Sequence, residues 1–116
     1  MSSIFQRIDT VFLKVKNLDR SVTWYTEVLG FSLRWRSETH AALNIGETPL
    51  TLVQAPENHT SLMEQAYFNF YVEDIQLAYS HLKNHQVEVG EVGSDEQVSW
   101  FSFKDIDGNQ LDVCSF

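Results

Sequence analysis

Two stretches of the chain, TVFLKVKNLDRSVTWY from Thr10 and YFNFYVEDIQLAYSHL from Tyr67, run through the same order of strand, cap and helix. One constant offset carries Thr10 to Tyr67, Val15 to Val72, Asn17 to Asp74 and Leu18 to Ile75. An internal repeat of this kind constrains the fold more than any single residue, because each copy must find a partner surface. In the first copy Asn17 is placed to cap a helix, and Leu18, Val22, Tyr25 and Leu29 fall on one helical face. Gly30 then stops the helix at its C-terminal end. In the second copy Asp74 takes the capping role and Ile75, Ala78 and Leu82 form the buried face. That helix ends near Asn84 and His85 without a glycine.

Three strand-like runs follow each helix. They are FSLRWRSE, HAALNIG and PLTLVQA in the first half, and VEVGEV, VSWFSF and QLDVCSF in the second. The last two in each half are joined by a turn, G-E-T-P in one case and D-I-D-G-N in the other. Each half therefore reads βαβββ, over residues 6–55 and 66–116, with a polar linker at 56–65 that opens on Pro56. A module of about 50 residues leaves one face of its sheet uncovered. The expected architecture is α+β: two modules pairing their sheets into a curved cleft, with the helices outside.

The closing turn, KDIDGNQLDV from Lys104, carries Asp105, Asp107 and Asp112. A helix-loop-helix calcium loop fails here. With Gly108 at the sixth position, Phe103 falls first and Cys114 twelfth, so both essential ligand positions are lost. Asp107-Gly108 is instead a hairpin signal, since Gly reaches positive φ at no steric cost and a short Asp accepts neighbouring amides. Asp112 then lies on a strand.

Composition sets outer limits. The 116 residues are 43% apolar and 13% aromatic, enough for a packed interior, and the net charge is −8. An acidic chain does not suit nucleic acid, which needs a basic face, nor an anionic membrane surface. Cys114 is the single cysteine, so no intrachain disulfide can form. The opening MSSIFQRIDT lacks a signal-peptide pattern, and no run approaches the ~20 apolar residues of a membrane span. A cytoplasmic protein is the expectation.

Three segments carry a family likeness. IDTVFLKVKNLDRSVTWYTEVLGF resembles the opening strand and helix of the vicinal oxygen chelate superfamily, which includes glyoxalase I, bleomycin-resistance proteins, fosfomycin-resistance enzymes and extradiol dioxygenases. NFYVEDIQLAYSHLKNHQVEV resembles the start of its second module. FSFKDIDGNQLDV resembles its closing hairpin, with Ile106 where Pro is usual. The likeness spans Ile8 to Val113 and implies the glyoxalase/bleomycin-resistance fold. Fold alone does not fix chemistry, because that family hosts many reactions.

The resemblance also implies where a metal would sit: at the positions of Thr10, Thr51, Tyr67 and Asp112. Family members usually place His, Gln or Glu there. Here a neutral hydroxyl stands at two positions and a phenol, with a usual pKa near ~10, at a third. One carboxylate does not hold a divalent ion, so no metal or other cofactor is expected. His81 and His85 are spaced i,i+4 and could take a metal on an exposed helix face, although an exposed solvated pair is the commoner meaning. His40 begins a strand and His59 lies in the linker. Cys114 shares a strand face with Asp112 and reads as a small buried side chain rather than a nucleophile.

Strand alternation assigns faces. Thr10, Phe12, Lys14, Thr51, Val53, Tyr67, Asn69, Tyr71, Asp112 and Cys114 are expected in the cleft, and Val11, Leu13 and Val15 under the helices. Alternation places either Trp35 or both Arg34 and Arg36 inward, and leaves Trp100 and Phe101 equally open. A Tyr67–Asp112 hydrogen bond would satisfy both groups. Such a lining suits a small planar or amphipathic molecule, so a metal-free binder is the first reading. The alternative is a metal-dependent lyase, isomerase, transferase or dioxygenase of the superfamily, or a cofactor-free enzyme using Asp112 and Tyr67. By resemblance the chain is expected to form a homodimer.

Overall fold

The computed structural model describes residues 4–56 and 65–116, with side chains of the second segment from Phe68 onward. It divides into two compact units, Met1–Asn58 and His59–Phe116. The first holds β1 (Val11–Val15), α1 (Leu18–Glu27), β2 (Ser32–Arg36), β3 (His40–Asn44) and β4 (Leu50–Gln54). The second holds β5 (Gln65–Tyr71), α2 (Ile75–Asn84), β6 (Gly93–Ser94), β7 (Ser99–Lys104) and β8 (Gln110–Ser115). Both sheets have the same mixed topology, β1-β4-β3-β2 and β5-β8-β7-β6, in which the first and last strands of the unit run parallel. The α+β arrangement and the internal repeat follow the sequence.

The repeat is exact at the helix starts. Asn17 accepts a hydrogen bond from the Arg20 amide (3.0 Å), and Asp74 accepts one from the Leu77 amide (3.1 Å). Each cap satisfies a backbone N–H that has no partner inside the helix. At the other end, Gly30 adopts φ 80 just past α1, and the Phe31 amide reaches back to the Tyr25 carbonyl at 3.4 Å. After α2 the left-handed position falls to Gln86 (φ 59), the only non-glycine residue with positive φ among those described.

In the first unit, Leu13, Val15, Leu18, Tyr25, Ala41, Leu43, Leu50 and Leu52 are buried. Of the apolar helix positions, Leu18 and Tyr25 carry the burial, while Val22 and Leu29 are half-buried. Ser21 also faces inward, with a fully buried hydroxyl that has no hydrogen-bond partner among the described residues. In the second unit Leu82, Phe101, Phe103, Leu111 and Val113 are buried. Tyr79 of α2 packs edge-on against Phe101 (5.5 Å), and Phe70 stacks on Phe103 (6.3 Å).

One expected strand is corrected. VEVGEV does not form a regular strand: it contributes an isolated bridge between Val89 and Phe103, and β6 begins only at Gly93. Gly90 interrupts the run, and glycine weakens a strand through its extra chain entropy and missing side chain. The segment is still tied to β7, through Gly90 N to Ser102 O (2.7 Å) and Lys104 N to Glu88 O (3.0 Å).

The β6–β7 turn depends on Asp95. Its Oδ1 accepts from the amides of Gln97 and Val98, both at 2.8 Å. These hydrogen bonds, Gln97 first, hold the Asp95 carboxyl below its ordinary value. A depressed folded-state pKa stabilises above the unfolded value and loses that effect as pH falls through the folded one. Amide exchange of Gln97 and Val98 is therefore expected to lose protection on acidification below about pH 4, where a free Asp titrates. Asp95→Asn should remove most of that pH dependence; a persistent acid transition in the variant would assign it to another group.

Candidate functional site

The registers settle which side chains share a face. Phe12 pairs with Thr51, Thr51 with Ala42, and Ala42 with Trp35, so these four form one row across the first sheet. The row on the other face is Leu13, Leu52, Ala41 and Arg36. Arg36 forms an ion pair with Asp19 of α1, which marks that second face as the helix side. Trp35 therefore lies opposite the helix. A register shift between Leu33 and Trp35 makes this possible, because it adds one residue on β2. Arg34 is that extra residue, and its Nε donates to Asn44 Oδ1 at 2.7 Å. The two arginines thus part company, an outcome that strict alternation could not give.

The row has a distinct relief. Phe12 and Trp35 stand at its two ends, 63% and 50% exposed, with buried Thr51 and Ala42 between them. Three strand spacings separate the ends, about 14 Å. Beside it runs a second row, Lys14, Val53 and His40, with the His40 ring edge-on to Phe12 at 6.4 Å. The centre of the row is closed to solvent, and its two ends are exposed aromatics.

Thr10 and Thr51, two of the positions singled out from sequence, do meet. Their hydroxyl oxygens are 2.7 Å apart, and Thr10 Oγ1 also lies 2.9 Å from the Pro49 carbonyl oxygen. A carbonyl only accepts, so Thr10 donates to Pro49 and Thr51 donates to Thr10. Both hydroxyl protons are then used within the sheet.

In the second unit Asn69, Asp112 and Ser102 form one row, and Tyr71, Cys114, Trp100 and Gly93 the next. Phe101 and Val113 face α2, so these two rows lie on the side away from it, which resolves Trp100 against Phe101. The Trp100 ring lies on Gly93, where a Cβ would come within 2.7 Å of ring atoms. Among the described residues, the half-buried Asp112 carboxylate has no hydrogen-bond or ion-pair partner. Asn69 holds the position beside Asp112 that Phe12 holds beside Thr51. The Tyr67 side chain, and with it the expected Tyr67–Asp112 bond, lies outside the described residues, as does His59. Cys114 is a free, half-buried thiol.

Reasoning from sequence passed over Ala42, Asn44 and Ser102. Each follows from register: Ala42 from the β3–β4 hairpin, Asn44 from the β2–β3 pairing and Ser102 from the β7–β8 hairpin. The signal lay in the turn lengths rather than in residue type. Among the described residues, no three His, Cys, Asp or Glu side chains cluster as metal donors would, and no helix is long and apolar enough to cross a membrane.

Repeated βαβββ units with this sheet order define a glyoxalase-type fold. The family model for the Glyoxalase/Bleomycin resistance protein/Dioxygenase superfamily matches residues 7–113, and the chain belongs to that superfamily. Among curated proteins it is similar to metallothiol transferase FosB of Staphylococcus haemolyticus, 27% identical over 113 residues, covering 91% of this chain and 81% of that protein. Among solved structures it is similar to integron cassette protein HFX_CASS4 from a Halifax Harbour sewage metagenome. That match has 27% identity and a TM-score of 0.81, and covers 97% of this chain and all of the other. Lactoylglutathione lyase from Agrobacterium tumefaciens shares the fold, with a TM-score of 0.80 at 16% identity, over 97% of this chain and 96% of that one.

Proposed function

We propose that this chain binds a small planar or amphipathic molecule without a resident metal, on the sheet face that carries Phe12, Thr51, Ala42 and Trp35. The observation that carries this reading is the hydroxyl chain from Thr51 through Thr10 to the Pro49 carbonyl. It engages two of the four positions where metal-dependent relatives would need ligands. Neutral hydroxyls are poor donors for zinc, nickel or manganese, and Asp112 is the one carboxylate among the four. The residues present do not fit a resident divalent ion.

What the face offers instead is apolar contact. A planar ring can lie against the exposed Trp35 or Phe12 ring at either end of the row, each of which contributes a large contact area with few rotatable bonds. Lys14, His40 and Arg34 at the margins can orient a polar substituent.

The test has two arms. Purified protein is expected to contain, by elemental analysis, no stoichiometric metal whose retention depends on Asp112. In a screen of planar aromatic compounds, a ligand should raise the melting temperature with occupancy and quench tryptophan emission. Trp35→Ala should weaken that ligand by about tenfold, equivalent to about 1.4 kcal/mol. Stoichiometric metal that disappears in Asp112→Ala would overturn the reading. It would favour metal-dependent transfer, the chemistry in the name of the metallothiol transferase relative.

A further inference from the structure

We propose that His81 and His85 form a two-point site for a borderline transition-metal cation such as Zn2+ at the C-terminal end of α2. The site is separate from the sheet positions discussed above.

Four observations converge. First, the two residues are one helical turn apart, so their side chains leave the same face. Their ring centroids are 4.4 Å apart with planes tilted by 38°. Two nitrogens sharing one zinc at about 2.0–2.1 Å lie roughly 3 Å from each other, so the rings must turn from this tilted stack until one nitrogen of each converges.

Second, His85 Nδ1 lies 2.9 Å from the His81 carbonyl oxygen. A carbonyl can only accept, so the proton is on Nδ1. In the neutral ring that leaves the lone pair on Nε2. This is the arrangement metal-binding histidines usually have, with one nitrogen donating to a fixed acceptor and the other directed at the metal.

Third, His85 is the C-terminal cap of α2. The aligned peptide dipoles of α2 give this end a partial negative charge that favours a cation. The chain's net charge of −8 adds to this.

Fourth, both rings are exposed, and the neighbouring cation is directed elsewhere: Lys83 Nζ sits over the Tyr79 ring at 5.7 Å. Tyr79 packs on Phe101, on the opposite face of the sheet from Asp112. A metal on α2 therefore cannot draw on Asp112 across the sheet.

The experiment is calorimetric titration of Zn2+ into full-length protein stripped with chelator, with circular dichroism to confirm that each variant is folded. One equivalent of zinc is expected to bind to the unaltered chain and equally to Asp112→Ala. His81→Ala and His85→Ala should each weaken it at least tenfold, and the double variant should abolish it. Zinc should also raise the melting temperature of the unaltered chain but not of the double variant. Three results would overturn the proposal: no zinc binding, binding unchanged in the double variant, or binding lost in Asp112→Ala. The last would also count against the metal-free reading of the sheet, so the two failures are distinguishable.

Discussion

Asp105→Ala is expected to lower stability by about 3 kcal/mol, the largest effect anticipated for a single polar side chain here. Asp105 Oδ1 accepts from the amides of Asp107 and Asn109, each at 2.9 Å, and Oδ2 accepts from Asn109 Nδ2 at 3.1 Å. The side chain is buried, with 6% of the residue exposed, and Asn109 is fully buried. Truncation would leave two backbone donors and one amide without their acceptor in a site water cannot easily enter. Each such orphan costs about 1–3 kcal/mol, and hydrogen bonds to a carboxylate are stronger than neutral ones. Asp105→Asn keeps one acceptor oxygen and should fall between the two. Denaturant unfolding followed by circular dichroism measures this, and a loss under about 0.5 kcal/mol for the alanine variant would refute the account.

Gln54→Ala should cost about 2 kcal/mol by the same measurement. The end of β4 reaches the start of α1 through this one amide. Its Oε1 accepts from the Leu18 amide at 2.8 Å, and its Nε2 donates to the Lys16 carbonyl at 2.6 Å. Leu18 N is one of the helix-start donors that Asn17 does not satisfy. Gln54→Glu separates the two roles: it keeps the acceptor, at a helix start that favours negative charge, and loses the donor. It should therefore recover part of the loss. If the glutamate variant were less stable than the alanine one, the contact with Lys16 would be the dominant part. Ser115 makes a related but lighter link in the second unit, donating to the Glu73 carbonyl at 3.1 Å.

Much of this architecture could be read in the sequence, because it is written in short-range chemistry. Asn17 and Asp74 cap their helices where the repeat placed them, and Gly30 stops the first. The closing turn was read correctly as a turn, and Gly108 takes the positive φ expected of it, but the acidic acceptor is a different residue. Asp107-Gly108 drew attention as a hairpin pair, whereas Asp105 supplies the acceptors and the turn spans the five residues between β7 and β8. What decides between them is burial and the return of Asn109, neither of which a dipeptide signal contains. The facing of Trp35 was illegible for a related reason. One added residue on β2 inverts the alternation that follows it, and nothing in SLRWR marks where the addition falls. The family was legible because its pattern runs along the whole chain. The chemistry was not, because Thr10, Thr51 and Tyr67 are residues that bind many things weakly rather than one thing strongly.

The added residue on β2 has a second effect, on the protein's behaviour toward other copies of itself. β2 lies at the border of its sheet, where free main-chain groups can recruit a foreign strand and seed aggregation. Here the spacing of those groups is broken after Leu33, and the strand carries two positive charges, Arg34 and Arg36. An incoming strand would meet an uneven ladder and a like-charged neighbour. The irregularity that turns Trp35 to the side away from α1 thus also lets the chain leave a tryptophan and a leucine half in water on a border strand without inviting sheet growth there.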